Sequence, residues 1–333
     1  MQSSSGREDE NKISIKIAIK QRFIMMNLSA KITINSQKKW VFDKISSVEI
    51  ERDIEKVTAT CRLVLPKRLK WKDETGIPLR RGDKIFVELG YNGNLQPAFS
   101  GYIKTIGAKA PVEIECEDEM FLLKNTAAKK KTYPNADLKK MLSEQLPEGL
   151  KLEVFKKQGI GKFVVNSDTV AQLLGELSKS GVRSFFKDGT LYCGMIFDHS
   201  ATIGKPKPTY RAGAGGNIID DDDLEQVRAD DIRLCIKASG TDRNGKKIRV
   251  EVGDKLDGEI RSFFKYNTTL EQLKAEATAK LTEWKKDGLA GSFTTFGGRL
   301  AGLLDVIKIY PQGGAAVDCK VIKNTISFGN SGY

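Results

Sequence analysis

Period-two alternation over the first third of the chain is the feature that most constrains its fold. Between Ile13 and Glu119, apolar and polar residues alternate in KISIKIAIK, AKITIN, TATCRLVLP and KIFVELGYNG, and turn residues separate these runs. Successive side chains of a β-strand point to opposite faces, so this pattern predicts a series of antiparallel strands with one buried face. Asn92-Gly93 predicts a type I′ hairpin turn, because both residues tolerate a positive φ.

A row of carboxylates follows these strands in VEIECEDEMFLLK. Glu113, Glu115, Glu117 and Glu119 fall on one face of a strand, and Ile114 falls on the other. Such a row could hold a cation, or it could be the solvated outer face of a sheet. The alternation favours the solvated face.

The pattern changes to mixed α/β in the middle of the chain. NADLKKMLSEQL predicts a helix capped by Asn135, and SDTVAQLLGELSKSG predicts a second helix capped by Ser167. VRSFFKDGTLYCGMIF predicts a hairpin that turns at Asp188-Gly189. This region is therefore expected to be a compact α/β unit.

Strand patterns return after a Gly- and Pro-rich stretch, GKPKPTYRAGAGG, which suits a crossing between domains. TTLEQLKAEATAKLTEWKKDG then predicts a long helix, with capping-box spacing between Thr268 and Glu271 and an apolar stripe on one face. A helix with one apolar stripe is expected to lie against a sheet.

A weaker version of one early hairpin recurs near the C-terminus. Residues 80–106, RRGDKIFVELGYNGNLQPAFSGYIKTI, share spacing with residues 303–326, LLDVIKIYPQGGAAVDCKVIKNTI. Two similar β-barrels in one chain would produce this repeat. Two unrelated hairpins would also produce an agreement this short, so the pattern alone leaves both explanations open.

These patterns predict an α+β, mainly β fold, with two antiparallel β regions, which are β-barrels if the repeat is a duplication, separated by a small α/β domain. The predicted segments are a disordered polar arm at 1–12, a first barrel at 13–125, the α/β domain at 126–203, and a second barrel at 204–333 on which helix 269–287 packs. A chain of 333 residues is long enough for two or three such domains.

Composition indicates a soluble globular protein. Hydrophobic residues make up 40% and charged residues 29% of the chain, and no apolar run approaches the ~18 residues that span a bilayer. The polar N-terminus is unlike a secretory signal, which indicates synthesis in the cytoplasm. The five cysteines are far apart and are predicted to be buried, reduced thiols: Cys61, Cys116, Cys193, Cys235 and Cys319.

The net charge of +12 would favour an anionic partner if the excess were concentrated on one surface. The basic residues are mostly scattered. The densest cluster, KNTAAKKKTYP from Lys124 to Pro134, could contact phosphate or be a solvated linker, and its position between two patterned regions favours the linker.

Catalytic signatures are weak. Residues 240–247, GTDRNGKK, match GxxxxGK but lack the following Ser or Thr of a phosphate-binding loop, and Asn244-Gly245 predicts a hairpin there instead. His199 is the single histidine of the sequence. Its neighbours Asp198 and Ser200 are no evidence for a catalytic triad, because the members of a triad meet through the fold, so His199 is expected to lie in a surface loop. No catalytic, cofactor-binding or metal-binding residue is predicted.

Two other short motifs have structural interpretations. The acidic run Asp220 to Asp223 lacks the spaced ligands of an EF-hand, so it is expected to be solvated or to lie near the start of a short helix, LEQVRA. The tripeptide RGD from Arg81 to Asp83 is known as an adhesion motif, but here it stands at the entry to a strand. Gly82 and Asp83 suit a turn at that position, so the turn is favoured over adhesion.

The order of these segments resembles the late control protein D family, the baseplate hub proteins of contractile phage tails and related injection systems. The stretches that carry the resemblance are RRGDKIFVELGYNG, FSGYIKTI, EIECEDEMFLLK, YRAGAGGNIIDDDDLE and, after the long helix, GSFTTFGGRLAGLLDVIKIYP. Together they cover most of residues 13–333. The chain departs from the family at ISFGNSGY, where relatives continue through another strand.

The resemblance implies a structural protein without a reaction of its own. Hubs of this family are trimers in which each chain contributes two tube-like barrels, so that six similar elements form a ring. The sixfold tail tube stacks on one side, and the threefold spike and other baseplate proteins bind elsewhere. A channel for DNA or effector passage, and assembly in the bacterial cytoplasm before incorporation into the particle, are also implied.

Four aromatic residues are candidate contacts between chains, or else core residues: Phe99, Tyr102, Trp284 and Phe296. Two other functions remain as alternatives. A cell-wall hydrolase of a tail tip would need a pair of carboxylates, which carry no local signature. A nucleic-acid-binding protein would need its positive charge gathered on one face.

Overall fold

The computed structural model describes most of the chain from Met26 onwards. The described ranges are 26–68, 71, 76–155, 159–179, 181–194, 208–242, 244–265, 267–298, 300–329 and 332–333. The predicted arm at 1–12, the strand KISIKIAIK and the neighbourhood of His199 lie outside these ranges.

The elements of the first part of the chain are β1 (Leu28–Asn35), β2 (Lys39–Phe42), β3 (Ser47–Asp53), β4 (Thr60–Val64), β5 (Lys84–Tyr91), β6 (Asn94–Ile106), β7 (Glu113–Glu117) and α1 (Met120–Lys124). The middle of the chain contains β8 (Lys131–Asp137), α2 (Leu138–Gln145), β9 (Lys151–Val154), β10 (Gly159–Val165), α3 (Val170–Lys179), β11 (Arg183–Lys187) and β12 (Thr190–Gly194).

The remaining elements are β13 (Thr209–Arg211), β14 (Ile218–Asp220), β15 (Glu225–Val227), β16 (Leu234–Thr241), β17 (Lys247–Gly253), β18 (Glu259–Lys265), α4 (Leu270–Trp284), β19 (Gly288–Ala290), β20 (Thr294–Thr295), β21 (Val306–Tyr310), β22 (Val317–Lys320) and β23 (Lys323–Gly329). The predicted α+β, mainly β class is confirmed.

An eight-stranded sheet dominates the first part of the chain. Its strand order is β2-β1-β5-β6-β7-β4-β3-β23, and every neighbouring pair is antiparallel. The predicted turn joins β5 to β6, with positive φ at Asn92 (52°) and Gly93 (80°). The alternation therefore produces the predicted strands, and one face of each contributes to a common core.

The hydrogen-bonding pattern differs from two closed barrels. Among the described strands, β2 and β23 form the two edges of the large sheet, and the strands from β13 to β22 form four smaller sheets or pairs. The hairpin β21–β22 matches the predicted second hairpin, but the last part of the predicted repeat lies in β23, which pairs with β3. The burial of Ile326 and Phe328 in the first core explains this pairing.

The middle unit contains both predicted helices, but each begins later than predicted. Asn135 lies in β8, which pairs with β10, and Asp137 caps α2 by accepting a hydrogen bond from the Lys140 amide (2.9 Å). Thr169, not Ser167, accepts a hydrogen bond from an amide in the first turn of α3.

Two other expectations for the chain after residue 124 are corrected. The basic cluster is not a free linker, because Lys131 begins β8 and forms an ion pair with Glu144 (2.8 Å). The predicted helix LEQVRA is absent, since β15 runs through Glu225–Val227 and pairs with β19.

The long helix α4 packs against the three-stranded sheet β17-β16-β18, as predicted. Its capping box uses Thr269 and Gln272, one residue later than the predicted pair Thr268 and Glu271. The predicted hairpin between β16 and β17 is confirmed, with a positive φ at Gly245.

The core is divided into several clusters rather than one. The large sheet, the middle unit and the α4 sheet each bury a cluster of their own. A small cluster of Ile54, Phe185, Leu303 and Leu304 joins the loop after β3, the middle unit and the C-terminal part. The predicted boundaries at 125/126 and 203/204 stay predictions.

Candidate functional site

A buried acidic segment lies where the large sheet meets the middle unit. β7 ends at Glu117 and α1 begins at Met120, so Glu117, Asp118 and Glu119 occupy the junction, and all three are buried. The row of glutamates was predicted to be a solvated face, which is correct only for Glu113 and Glu115. The chain leaves the sheet after Glu117 and turns into the interior, which explains the difference.

Asp118 is held by backbone donors. The Ala59 amide donates to its Oδ2 (3.1 Å) and the Met120 amide donates to its Oδ1 (3.0 Å). Burial raises the pKa of Asp118 to about 7, because it disfavours the ionised carboxylate more than these two hydrogen bonds favour it. Asp118 thus fixes the path of the chain between β4 and α1.

Glu117 has charged partners instead. Its carboxylate oxygens accept from the ammonium groups of Lys104 (2.9 Å) and Lys124 (2.8 Å). Burial acts to raise the pKa of Glu117, but the two lysines outweigh it and leave the pKa below its usual value. Glu117 therefore ties β6 to α1 as an ionised group.

A cleft of about 940 Å³ opens beside Glu119, between the large sheet and the residues around 186–189 and 300–306. Burial raises the pKa of Glu119, whose Oε1 accepts from the Ser100 hydroxyl (3.3 Å). Lys187 and Asp305 form an ion pair across the cleft. The ion pair joins the middle unit to the C-terminal part, and residues of all three parts line the cleft.

A second depression, which we call the edge groove, lies between β1 and β23. It is about 950 Å³ in volume and is lined by Met26 and Leu28, by Ile219 and Phe296, by residues 324–329 and by Tyr333. The apolar side chains of Met26, Leu28, Ile219 and Phe296 are all exposed there. Exposed apolar residues in one groove are typical of an interaction surface.

An edge strand of the α4 sheet also exposes apolar side chains. β18 is at the edge of that sheet, and Ile260 near its start is 58% exposed. Leu256, in the turn that leads into β18, is 97% exposed. An edge strand with exposed apolar residues is able to pair with another chain.

The four aromatic candidates occupy different environments. Phe99 is buried in the core of the large sheet, and Tyr102 stacks on Phe121. Trp284 packs against the core beneath α4, whereas Phe296 is 49% exposed in the edge groove. Only Phe296 has the exposure expected of a contact between chains.

The remaining sequence motifs that the structure describes have structural positions. Within the described ranges no three His, Cys, Asp or Glu residues are grouped as a metal site, and no helix is long and apolar enough to cross a membrane. The five cysteines are free and four of them are buried, as predicted, but Cys319 is only partly buried. Arg80 donates its amide to Asp83 (2.7 Å), so the RGD sequence forms the predicted turn before β5.

Comparison with solved structures identifies the architecture. The 43 kDa tail protein of prophage MuSo2 from Shewanella oneidensis is similar over 91% of this chain and 95% of its own, with a TM-score of 0.57 and 16% identity. A tail protein from Neisseria meningitidis is similar over 92% of this chain and 93% of its own, with a TM-score of 0.59 and 15% identity.

A prophage tail protein from Listeria monocytogenes is similar over 89% of this chain and 90% of its own, with a TM-score of 0.51 and 12% identity. The chain has the fold of prophage tail proteins. The likeness covers nearly the whole length of each partner, so it includes the large sheet, the middle unit and the C-terminal part. No protein-family model and no curated protein sequence matches the chain.

Proposed function

We propose that this protein is a structural component of a contractile phage tail or a related injection system, acting as the baseplate hub between tail tube and spike. The observation that supports the proposal is the fold, shared with tail proteins over 91% and 92% of the chain. The order of sequence motifs resembling the late control protein D family points in the same direction.

The hub is proposed to be a homotrimer. A symmetric ring closes its own interfaces, and a chain with β-rich regions before and after a middle unit lets three copies present six elements. The sixfold tail tube protein would stack on this ring, and the threefold spike and other baseplate proteins would bind around it. DNA or an effector would pass through the central channel.

The edge of the α4 sheet is the proposed contact between copies. Leu256 and Ile260 are exposed at β18, which is an edge strand of the described α4 sheet, and a neighbouring chain would bury this apolar surface. Assembly would take place in the bacterial cytoplasm before the trimer enters the particle.

The buried carboxylates support a structural role rather than a catalytic one. Asp118 binds two backbone amides and Glu117 binds two lysines, so both are committed to holding α1 against the large sheet. We therefore propose that the chain has no enzymatic activity. Turnover of peptidoglycan that disappears when one carboxylate is replaced would contradict this.

Mass measurement tests the assembly. Light scattering on the purified chain, and particle reconstruction on the assembled baseplate, are expected to give three copies of the 36.9 kDa chain. Leu256→Asp combined with Ile260→Asp should shift the purified trimer toward monomer. Val164→Asp, an equally apolar but separate exposed site on the middle unit, is the matched control and should leave the trimer intact. A particle with any other number of copies would contradict the proposal.

A further inference from the structure

The large sheet has a gap between two strand edges that lack a described partner strand, apart from a bridge between Gly329 and Gly332 at the end of β23. β2 pairs with β1 only over Ile32 to Asn35, so in the described part of the chain the outer edge of residues 28–31 has no partner strand. β23 pairs with β3 on one side, and no described strand lies on its other side. The edge groove lies between these two edges.

Strand direction restricts what fits this gap. Six antiparallel pairings lead from β1 through β5, β6, β7, β4 and β3 to β23, so β1 and β23 run in the same direction. One strand antiparallel to both would continue the alternation and close the sheet. It would also satisfy the free backbone groups on both edges.

Three core side chains beside the gap remain slightly exposed, unlike the next core residues along β1. Ile326 and Phe328 of β23 are each 6% exposed and Ala30 of β1 is 8% exposed, whereas Ile32 and Ile34 further along β1 are fully buried. All three of the less covered side chains line the edge groove. An occupant with apolar side chains on one face would complete this core.

We propose that residues 13–19 of the same chain fill the edge groove as an additional strand, antiparallel to β1 and β23. Ile13, Ile15, Ile17 and Ile19 alternate with Ser14, Lys16 and Ala18, which gives one apolar face for the core and one polar face for solvent. The segment has seven residues, as β23 does.

The connection is long enough and approaches from the correct side. The described chain begins at Met26, whose side chain lines the groove. Residues 20–27 span up to roughly 26–29 Å when extended, which exceeds the roughly 23 Å length of a seven-residue strand. A strand that precedes β1 and turns back along it is necessarily antiparallel to β1, as the gap requires.

Hydrogen exchange on the full chain tests the proposal. Replacing Ile15 and Ile17 by Asp places two charges on the apolar face and is expected to speed amide exchange in residues 323–329 by at least about tenfold. Ser14→Asp combined with Ala18→Asp adds the same charges to the polar face and should leave exchange unchanged. Exchange that is equal in all three proteins would overturn the proposal.

Two further measurements separate the explanations. Protection of residues 323–329 from amide exchange is expected to be independent of protein concentration. Protection that rises with concentration would mean that another copy of the chain supplies the strand, and it would overturn the proposal that the strand comes from the same chain. A free peptide of residues 12–20 should restore protection to the double Asp variant. If that variant does not fold, Ile17→Gly should give an intermediate increase in exchange, and no increase would overturn the proposal.

Discussion

Asp118 is expected to make the stability of this protein depend on pH between about 4 and 7. The pKa of its buried carboxyl is raised from the ordinary value of 3.8 to about 7. A group whose folded pKa is raised binds its proton more tightly in the folded state, so its stabilisation is complete below the unfolded pKa and is lost as the pH rises through the folded pKa. Three pKa units correspond to about 4 kcal/mol at about 1.36 kcal/mol per unit.

Urea unfolding of the wild type and of Asp118→Asn at several pH values measures this effect. Tryptophan fluorescence is a suitable signal, since Trp40 and Trp71 pack against the core of the large sheet. The free energy of unfolding of the wild type relative to the variant should fall by about 4 kcal/mol from pH 4 to pH 7 and then remain constant.

The control is Glu148→Gln, which removes a carboxylate from an exposed position. Asn keeps one acceptor for the two backbone amides, so the lost hydrogen bond adds a pH-independent component to the difference between wild type and variant. A difference between wild type and Asp118→Asn that does not vary with pH would refute the assignment of the titration to Asp118.

Other substitutions test the packing of the fold by equilibrium unfolding. Gly101→Ala should prevent native pairing of β6 with β7 and yield insoluble or unfolded protein, because the new Cβ would lie 2.2 Å from the backbone oxygen of Glu117. Gly175→Ala, in an open position within α3, should instead stabilise the protein by about 0.5–1 kcal/mol; a loss of stability there would contradict the described helix. Phe185→Ala should lower the free energy of unfolding by about 3–5 kcal/mol, because it leaves a cavity in the cluster that joins the three parts. Phe296→Ala should lower it far less, because Phe296 is half-exposed. Equal losses of stability in the two variants would contradict the described cluster. Glu117→Gln should lower the free energy of unfolding by about 1–3 kcal/mol near pH 7, and by progressively less as the pH falls through the lowered pKa of this carboxyl. A loss of stability that does not depend on pH would contradict the ion pairs of Glu117.

Local backbone chemistry was predictable from the sequence. The hairpins at Asn92-Gly93 and Asp188-Gly189 were predicted because few residues tolerate a positive φ, and both pairs have one in the structure. Helix ends were less predictable, since Thr268 and Thr269 are both capable caps. Tertiary packing selects between such neighbours, and a local pattern does not contain that information.

Long-range pairing was the part that the sequence did not predict. The stretch KNTISFG alternates as a strand should, but the alternation does not specify whether its partner is β21 or β3. Glu117 and Glu119 were wrongly predicted to lie on a solvated face for a similar reason. The burial of Asp118 and Glu119 depends on where the middle unit packs, and side-chain alternation describes only the strand itself.

The pairing of β23 with β3 has a consequence for folding during translation. About 270 residues separate these two strands in the chain. At a synthesis rate of about 5–20 residues per second, β23 is therefore synthesised roughly 15 to 50 s after β3. Throughout that interval the nascent large sheet has an open side at β3. A ribosome that stalls late would release a product with a complete middle unit and a large sheet whose β3 edge is still exposed. Chaperones would have to bind this edge to prevent aggregation.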